Sequence, residues 1–227
     1  MRSWISGSNR DDHGHGTHTC GTMVSKTYGV AKKAKVYGFK ALGRDATGPD
    51  SGIIAAIDAV PGDVANRSCP KGVVVNLSLT ADSRLQSMND AVANLVRKGI
   101  FVSVAAGNAF RDASNESPAS EPSICTVGAT ESNDSKASYS NYGSVVDIQA
   151  PGSGVNSLAP GGGTAQMSGT SMAAPHIAGL AAYLATLEGI KINTACERIK
   201  ELSNKNAIRG EPSGTTTNLA FNGNPNA

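Results

Sequence analysis

Apolar and polar positions along this chain fall into a few recurring blocks. Gly72 to Leu79 is a continuous apolar run of β-branched type, which predicts a strand buried on both faces of a parallel sheet. Ile100 to Ala105 and Ile124 to Ala129 read the same way, and Val145 to Ala150 adds a strand before Pro151-Gly152. Lys35 to Leu42 is strand-like, with Val36, Phe39 and Leu42 interrupted by a glycine. Ser83 to Lys98 instead places Leu85, Met88, Val92, Leu95 and Val96 at helical spacing and meets a stop at Gly99. Helices are also predicted over His15 to Ser25, Ile53 to Val60, Ser171 to Leu187 and Asn193 to Ser203. Strands alternating with helices predict an α/β domain in three layers, a mostly parallel sheet with helices on both faces. Function is expected at the carboxyl ends of its strands. Asn204 to Ala227, rich in Asn, Gly, Pro and Thr, reads as an ordered surface tail with a frayed end. With no internal repeat and no linker, residues 1–227 read as one domain.

Composition narrows the function classes. The chain has 227 residues, enough for one domain with a substantial core. Lys plus Arg number 20 against 18 Asp plus Glu, a net charge of +2 with no basic tract, so nucleic acid is not an expected partner. The 26 glycines suit loops that pass close to a ligand, and 39% hydrophobic residues in regular blocks exclude disorder. No apolar run reaches transmembrane length, and Met1 to Asp12 lacks the apolar centre and cleavage pattern of a signal peptide.

Candidate chemistry centres on Ser168-Gly169-Thr170-Ser171-Met172-Ala173-Ala174-Pro175-His176, followed by the apolar run Ile177 to Leu184. Gly169 lets a substrate backbone approach, and Ser171 at a helix start sits where free N–H groups and the dipole favour developing negative charge. Ser171 is therefore a candidate nucleophile, though a serine there also reads as a plain N-cap. A serine hydroxyl needs a base and oxyanion donors. His15, in Asp12-His13-Gly14-His15-Gly16-Thr17-His18, supplies the first, and Asn108, in Ala105-Ala106-Gly107-Asn108, the second. Gly-Asn after a strand is otherwise a turn signal. His15 and His18 could share a helix face as a metal pair, but no Glu lies between them and no further cluster offers ligands.

With these segments in view the chain resembles the subtilisin-like serine proteases, and among them the proteinase K type of fungi. The resemblance rests on Thr27 to Lys33, Asn66 to Val74, Ser117 to Ser123, Ser140 to Val145 and Gly169 to His176, and runs in order from about Asp12 to Leu219. It implies a secreted serine endopeptidase acting on protein or peptide substrates as a monomer, with no nucleic-acid or membrane partner. Ser171 would be nucleophile, His15 base and Asn108 oxyanion donor. Gly48, in the loop Ala46 to Asp50, would form one wall of an extended peptide cleft. Ser78, Leu79 and Thr80 would form the other, with Ala105, Ala106 and Gly107 lining a specificity pocket. One structural calcium is implied, held by the Asp147 carboxylate and the carbonyls of Pro122 and Ile124. A disulfide between Cys125 and Cys196 is implied too, with Cys69 left unpaired. A serine esterase would share the chemistry, but two extended cleft walls favour peptide.

Four departures qualify the match. The family's catalytic aspartate lies on a strand well upstream of the histidine, and no such segment precedes His15 here. Asp11 and Asp12 lie too close to His15 and read as polar residues at a loop and helix start. The chain is thus expected to be N-terminally truncated within its peptidase domain and to lack a core strand, with a non-catalytic, peptide-binding remnant as the rival reading. Thr80 replaces a glycine, and Pro49 and Asp50 alter the loop after Gly48. Cys20 stands one residue beyond the family's cysteine, as a small buried filler. A second calcium site finds no aspartate near Ala207 and is not expected.

Overall fold

The structure, a computed structural model, describes residues 1–7 and 9–224. Four parallel strands form its main sheet in the order β3 (Val74–Leu77), β4 (Phe101–Ala105), β5 (Cys125–Thr130), β6 (Ile148–Pro151). β4 shows why the apolar blocks read as strands. Phe101 and Ala105 face one core and Val102 and Val104 the other, so alternate side chains are buried on opposite faces.

One core is made with α5 (Thr170–Leu187) and α6 (Ala195–Leu202), through Ala173, Ile177, Ala181, Leu184 and Ile199. The other is made with α2 (Asp50–Asp58) and α4 (Gln86–Arg97), through Ile53, Ile57, Met88, Val92 and Leu95. A short α3 (Val60–Val64) follows α2. This is the expected three-layer α/β arrangement. α5 is apolar around most of its circumference, as a helix enclosed between a sheet and other helices must be. α1 (His15–Val24) lies along α5, and Gly179 of α5 permits the approach: a Cβ there would stand 3.1 Å from Met23 O of α1 and 2.8 Å from Val30 Cβ beyond it.

Three expectations change. The predicted strand from Lys35 to Leu42 is only two residues long, β2 (Phe39–Lys40), which pairs in parallel with an unexpected β1 (Arg2–Ser3). These two strands form a separate sheet, so β3 has a hydrogen-bonded neighbour on one side only among the described residues. Accordingly Val74 to Leu77 is half-buried throughout rather than buried on both faces. An apolar strand loses burial when its sheet ends beside it. The third change is an antiparallel hairpin, β7 (Val155–Leu158) and β8 (Thr164–Met167), where no strand was expected. Its turn sets Pro160 against Gly14 at the entry to α1. Among the described residues no helix is long and apolar enough to cross a membrane. The tail is anchored rather than free: Asn204 and Leu219 exchange backbone hydrogen bonds, and Ala220 N–H reaches Gln149 O at 2.8 Å.

Candidate active site

The amino end of α5 gathers the central groups. Gly169 precedes the helix with φ 152° and ψ 161°, a conformation open to glycine alone. Asn108, just beyond β4, caps the helix: its Oδ1 accepts from Thr170 N at 2.8 Å and from Thr170 Oγ1 at 3.0 Å. A backbone N–H can only donate, so the amide orientation is fixed and Nδ2 is the outward end. A Cβ built on Gly169 would lie 3.6 Å from Asn108 Nδ2, Asn108 Oδ1 and Ser171 N alike. The Asn108 side-chain amide and the Ser171 N–H thus lie beside the same glycine, and each has an N–H to donate.

Ser171 is half-buried, and its Oγ donates to Ser78 O at 3.2 Å. Ser78 returns the contact, its hydroxyl donating to Ser171 O at 2.7 Å. The cause lies one helical turn on. Pro175 has no N–H, so the Ser171 carbonyl loses its intrahelical partner and Ser78 replaces it. The end of β3 is thereby stitched to the residue expected as nucleophile.

The loop carrying Asn108 is held from behind by residues that sequence reasoning did not single out. Asn141 Nδ2 donates to Ala106 O at 2.9 Å and to Glu116 Oε1 at 2.8 Å, while its Oδ1 accepts from Ala109 N at 3.0 Å and Arg111 N at 3.1 Å. Glu116 is 1% exposed, and Arg111 Nε lies 2.5 Å from its Oε1. Gly107, at φ 105°, fits against this network because it has no Cβ. Its N–H donates to Thr170 Oγ1 at 3.1 Å. The only sequence signal for Asn141 was its place in the segment Ser140 to Val145.

His15 opens α1 after Gly14, which takes φ 104°. Its N–H donates to His13 Nδ1 at 3.3 Å, and its ring makes no hydrogen bond among the described residues. Burial, then the neighbouring His13 and His18, push its pKa below the ordinary histidine value. The Asp11 carboxylate is occupied as the helix cap. It accepts from Gly14 N at 2.8 Å, from His13 N at 3.2 Å, and from Thr17 N and Oγ1 at 2.6 Å each. Asp12 pairs with Lys40 at 2.5 Å. Neither carboxylate is bonded to the His15 ring, in keeping with their reading as loop and helix-start residues. His18 is fully buried, with Nε2 3.0 Å from Val155 O, and no His/Cys/Asp/Glu cluster gathers around it and His15 among the described residues.

Direct hydrogen bonds thus link Ser171 with Ser78 and Asn108 with Thr170, and Thr170 with Gly107. Ala105 and Ala106 are buried at the end of β4, and Leu79 and Thr80 continue half-buried from Ser78. Gly48 follows a turn closed by Gly43 N–H on Thr47 O at 2.7 Å, and it packs against the Ala41 carbonyl too closely for a Cβ. Pro49 is extended and Asp50 begins α2.

Cys125 and Cys196 are joined, tying β5 to α6 across 71 residues, while Cys20 and Cys69 are free thiols, half-buried and exposed respectively. Cys69 is thus unpaired, as expected. Asp147 stands beside the bridge. Its Oδ2 accepts from Thr126 N at 2.9 Å, and Oδ1 faces Lys200 Nζ at 3.5 Å. Burial raises its pKa, and the Thr126 N–H and the Lys200 ammonium do not offset this. Asp147 is thus a half-buried carboxylate with an N–H on one oxygen and an ammonium facing the other.

Residues 4–225 match the Subtilase family. The chain is 55% identical over 224 residues to the cuticle-degrading protease of Metarhizium anisopliae, covering 98% of this chain and 58% of that protein. It is 54% identical to the alkaline serine protease ver112 of Corniculantispora psalliotae, covering 94% of this chain and 56% of that one. The chain therefore spans a little over half the length of these relatives. A crystal structure of a cold-adapted subtilisin-like serine proteinase superposes with a TM-score of 0.89 at 38% identity, covering 97% of this chain and 80% of that one. Sequence and fold agree, and the chain belongs to the Subtilase family of serine proteases.

Proposed function

We propose that this chain carries the nucleophile, base and oxyanion donors of a serine endopeptidase. Ser171 Oγ attacks the scissile carbonyl carbon while His15 takes the hydroxyl proton. The carbonyl oxygen becomes an oxyanion between Asn108 Nδ2 and Ser171 N–H, and the acyl-enzyme forms as the C–N bond breaks and His15 returns the proton to the leaving amine. Water, deprotonated by His15, then releases the acid and restores Ser171. The Asn108 amide lying beside Gly169 and the Ser171 N–H, at the start of the helix that carries Ser171, is the observation that carries this reading.

Extended peptide would lie along Ser78 to Thr80 and Ala105 to Gly107, with Gly48 at the margin. The relatives' names, cuticle-degrading and alkaline serine protease, support protein as the substrate class. A disulfide fits an oxidising, extracellular setting. The calcium ion that the resemblance implies would need the Asp147 carboxylate with the carbonyls of Pro122 and Ile124, and the surroundings of Asp147, an N–H on one oxygen and an ammonium facing the other, do not fit it.

A second reading, peptide binding without turnover, has its own support. The His15 ring lacks a carboxylate partner among the described residues, and Ser171 Oγ is bonded to Ser78 O rather than to His15. A carboxylate bonded to the His15 ring would remove the first objection. An internally quenched peptide separates the two readings. Turnover lost in Ser171→Ala supports the peptidase, whereas binding of equal affinity in both proteins without cleavage supports the binding module.

A further inference from the structure

Glu116 stands between two parts of the site. Its neighbour Ser117 is bonded to the segment that follows Ser78 to Thr80: Ala81 N–H donates to Ser117 O at 2.7 Å, and Ser117 N–H donates to Ser83 O at 3.2 Å. The Ser117 hydroxyl accepts from Leu85 N at 2.8 Å and donates to Asn89 Oδ1 at 2.7 Å, which pins the same point to the start of α4. From this anchored backbone the Glu116 side chain reaches the loop that carries Asn108. Its Oε1 accepts from Asn141 Nδ2 at 2.8 Å and from Arg111 Nε at 2.5 Å. Asn141 has no spare capacity: it is fully buried, gives its two Nδ2 hydrogens to Glu116 Oε1 and Ala106 O, and accepts the Ala109 and Arg111 N–H groups on Oδ1. Ala106 and Ala109 flank Gly107-Asn108 on either side. Without the Glu116 carboxylate one buried Asn141 N–H is left unpaired, which is costly. Flipping the amide would set Nδ2 against the Ala109 and Arg111 N–H groups, donor against donor, so Asn141 has to shift and the Asn108 loop shifts with it.

We propose that Glu116 is a positioning residue for the oxyanion donor, fixing Asn108 through Asn141 from a backbone anchored to the peptide wall and to α4. This rests on the peptidase reading above and adds to it a residue that touches neither substrate nor reacting atoms. An oxyanion donor acts by being held in place before the reaction, so a small displacement of Asn108 weakens it. Both bonds to Glu116 land on one oxygen, Oε1, and the carbonyl oxygen of a glutamine can accept them as well. The site therefore requires an acceptor at that point rather than a negative charge, which separates positioning from a direct electrostatic effect. Arg111, whose side chain is 41% exposed, steadies Glu116 and also donates to Asp82 O at 2.9 Å, a second tie between the oxyanion loop and the segment beyond the wall.

The rate at which a peptidyl phosphonate labels Ser171 tests this in a double-mutant cycle with Asn108, because the phosphoryl oxygen of the adduct takes the oxyanion's place. Glu116→Ala is expected to slow labelling at least about tenfold, a part of the roughly 10²–10³ that a whole oxyanion donor supplies. Glu116→Gln is expected to recover most of that loss. In an Asn108→Ala background, where no side-chain donor is left to position, Glu116→Ala is expected to change the remaining rate by less than about twofold. Arg111→Met, at a half-exposed position, keeps the test open should Glu116→Ala not fold, and is expected to slow labelling about threefold only while Asn108 is present. The parental rate in folded Glu116→Ala or Arg111→Met would overturn the proposal. So would an equal loss with and without Asn108, which assigns the effect to the structure at large, or a Glu116→Gln as slow as Glu116→Ala, which assigns it to charge. No labelling of Ser171 in the parent would overturn the peptidase reading itself, and the proposal with it.

Discussion

Gly107→Ala tests how the backbone of the Asn108 loop is held by what lies behind it. Gly107 sits at φ 105°, where an alanine costs about 1–3 kcal/mol in backbone strain alone. The new Cβ would also overlap Asn141 Nδ2 and Glu116 Oε2, so Asn141 has to leave its place. Asn141 makes bonds to Ala106, Ala109, Arg111 and Glu116, and losing two of them costs about 1–3 kcal/mol more. The sum, roughly 2–6 kcal/mol, is a large part of an ordinary domain's stability of about 5–15 kcal/mol. Urea unfolding followed by circular dichroism measures it. Gly62→Ala, in α3 with open space where the Cβ would go, serves as the control and is expected to be neutral or slightly stabilising. In an Asn141→Ala background the cost of Gly107→Ala is expected to fall, because half of the clash is already gone. A cost under about 1 kcal/mol in the parent background would refute this account of how the Asn108 loop is held.

Glu211 has both carboxylate oxygens buried without a partner, and burial pushes its pKa up to about 7 from 4.5, with Lys136 opposing. The folded state therefore holds this proton more tightly than the unfolded chain, so the stability it brings is complete below pH 4.5 and is lost as pH rises through 7. Glu211→Gln is expected to raise stability at pH 8 by about 1–2 kcal/mol, after discounting for its partial solvent access, and to change little at pH 4. A melting-temperature difference independent of pH would contradict this. The two free thiols should react with a thiol-specific reagent at different rates. Cys69 is exposed and is expected to react fast, whereas burial raises the Cys20 thiol pKa and slows its reaction. Cys69→Ser should remove the fast phase alone, and a fast phase that survives would sink the assignment.

The sheet was legible wherever a strand has neighbours on both sides. β4 and β5 are buried along their whole length because helical layers cover them, and β4, apolar at four of five positions, carries that pattern directly. β3 has the same pattern but ends its sheet, and no local pattern reports which neighbour a strand lacks. The β7–β8 hairpin was missed because its burial is uneven: Ser157 is the buried residue of β7, bonded to His18 O, while Leu158 is exposed. Apolar periodicity cannot find a strand whose buried residue is polar. At the site, Ser171, His15 and Asn108 stood out because a serine, a histidine and an asparagine set among glycines are the residue types from which a nucleophile, a base and an oxyanion donor can be made. Asn141 and Glu116 did not, since their effect depends on hydrogen bonds to residues 25 to 35 positions away. Ser78 belonged to the expected cleft wall, but its bond to the Ser171 carbonyl follows from Pro175 and needed the fold to be seen.

The central claim is that Ser171 is an activated nucleophile beside preorganised oxyanion donors. Its most direct test is covalent labelling with a serine-reactive phosphonate, followed by peptide mapping of the adduct. The expected result is a single adduct on Ser171, absent from Ser171→Ala and formed more slowly in Asn108→Ala, whose helix cap and outward N–H are both lost. An adduct on another serine, or equal labelling of the parent and Ser171→Ala, would contradict it.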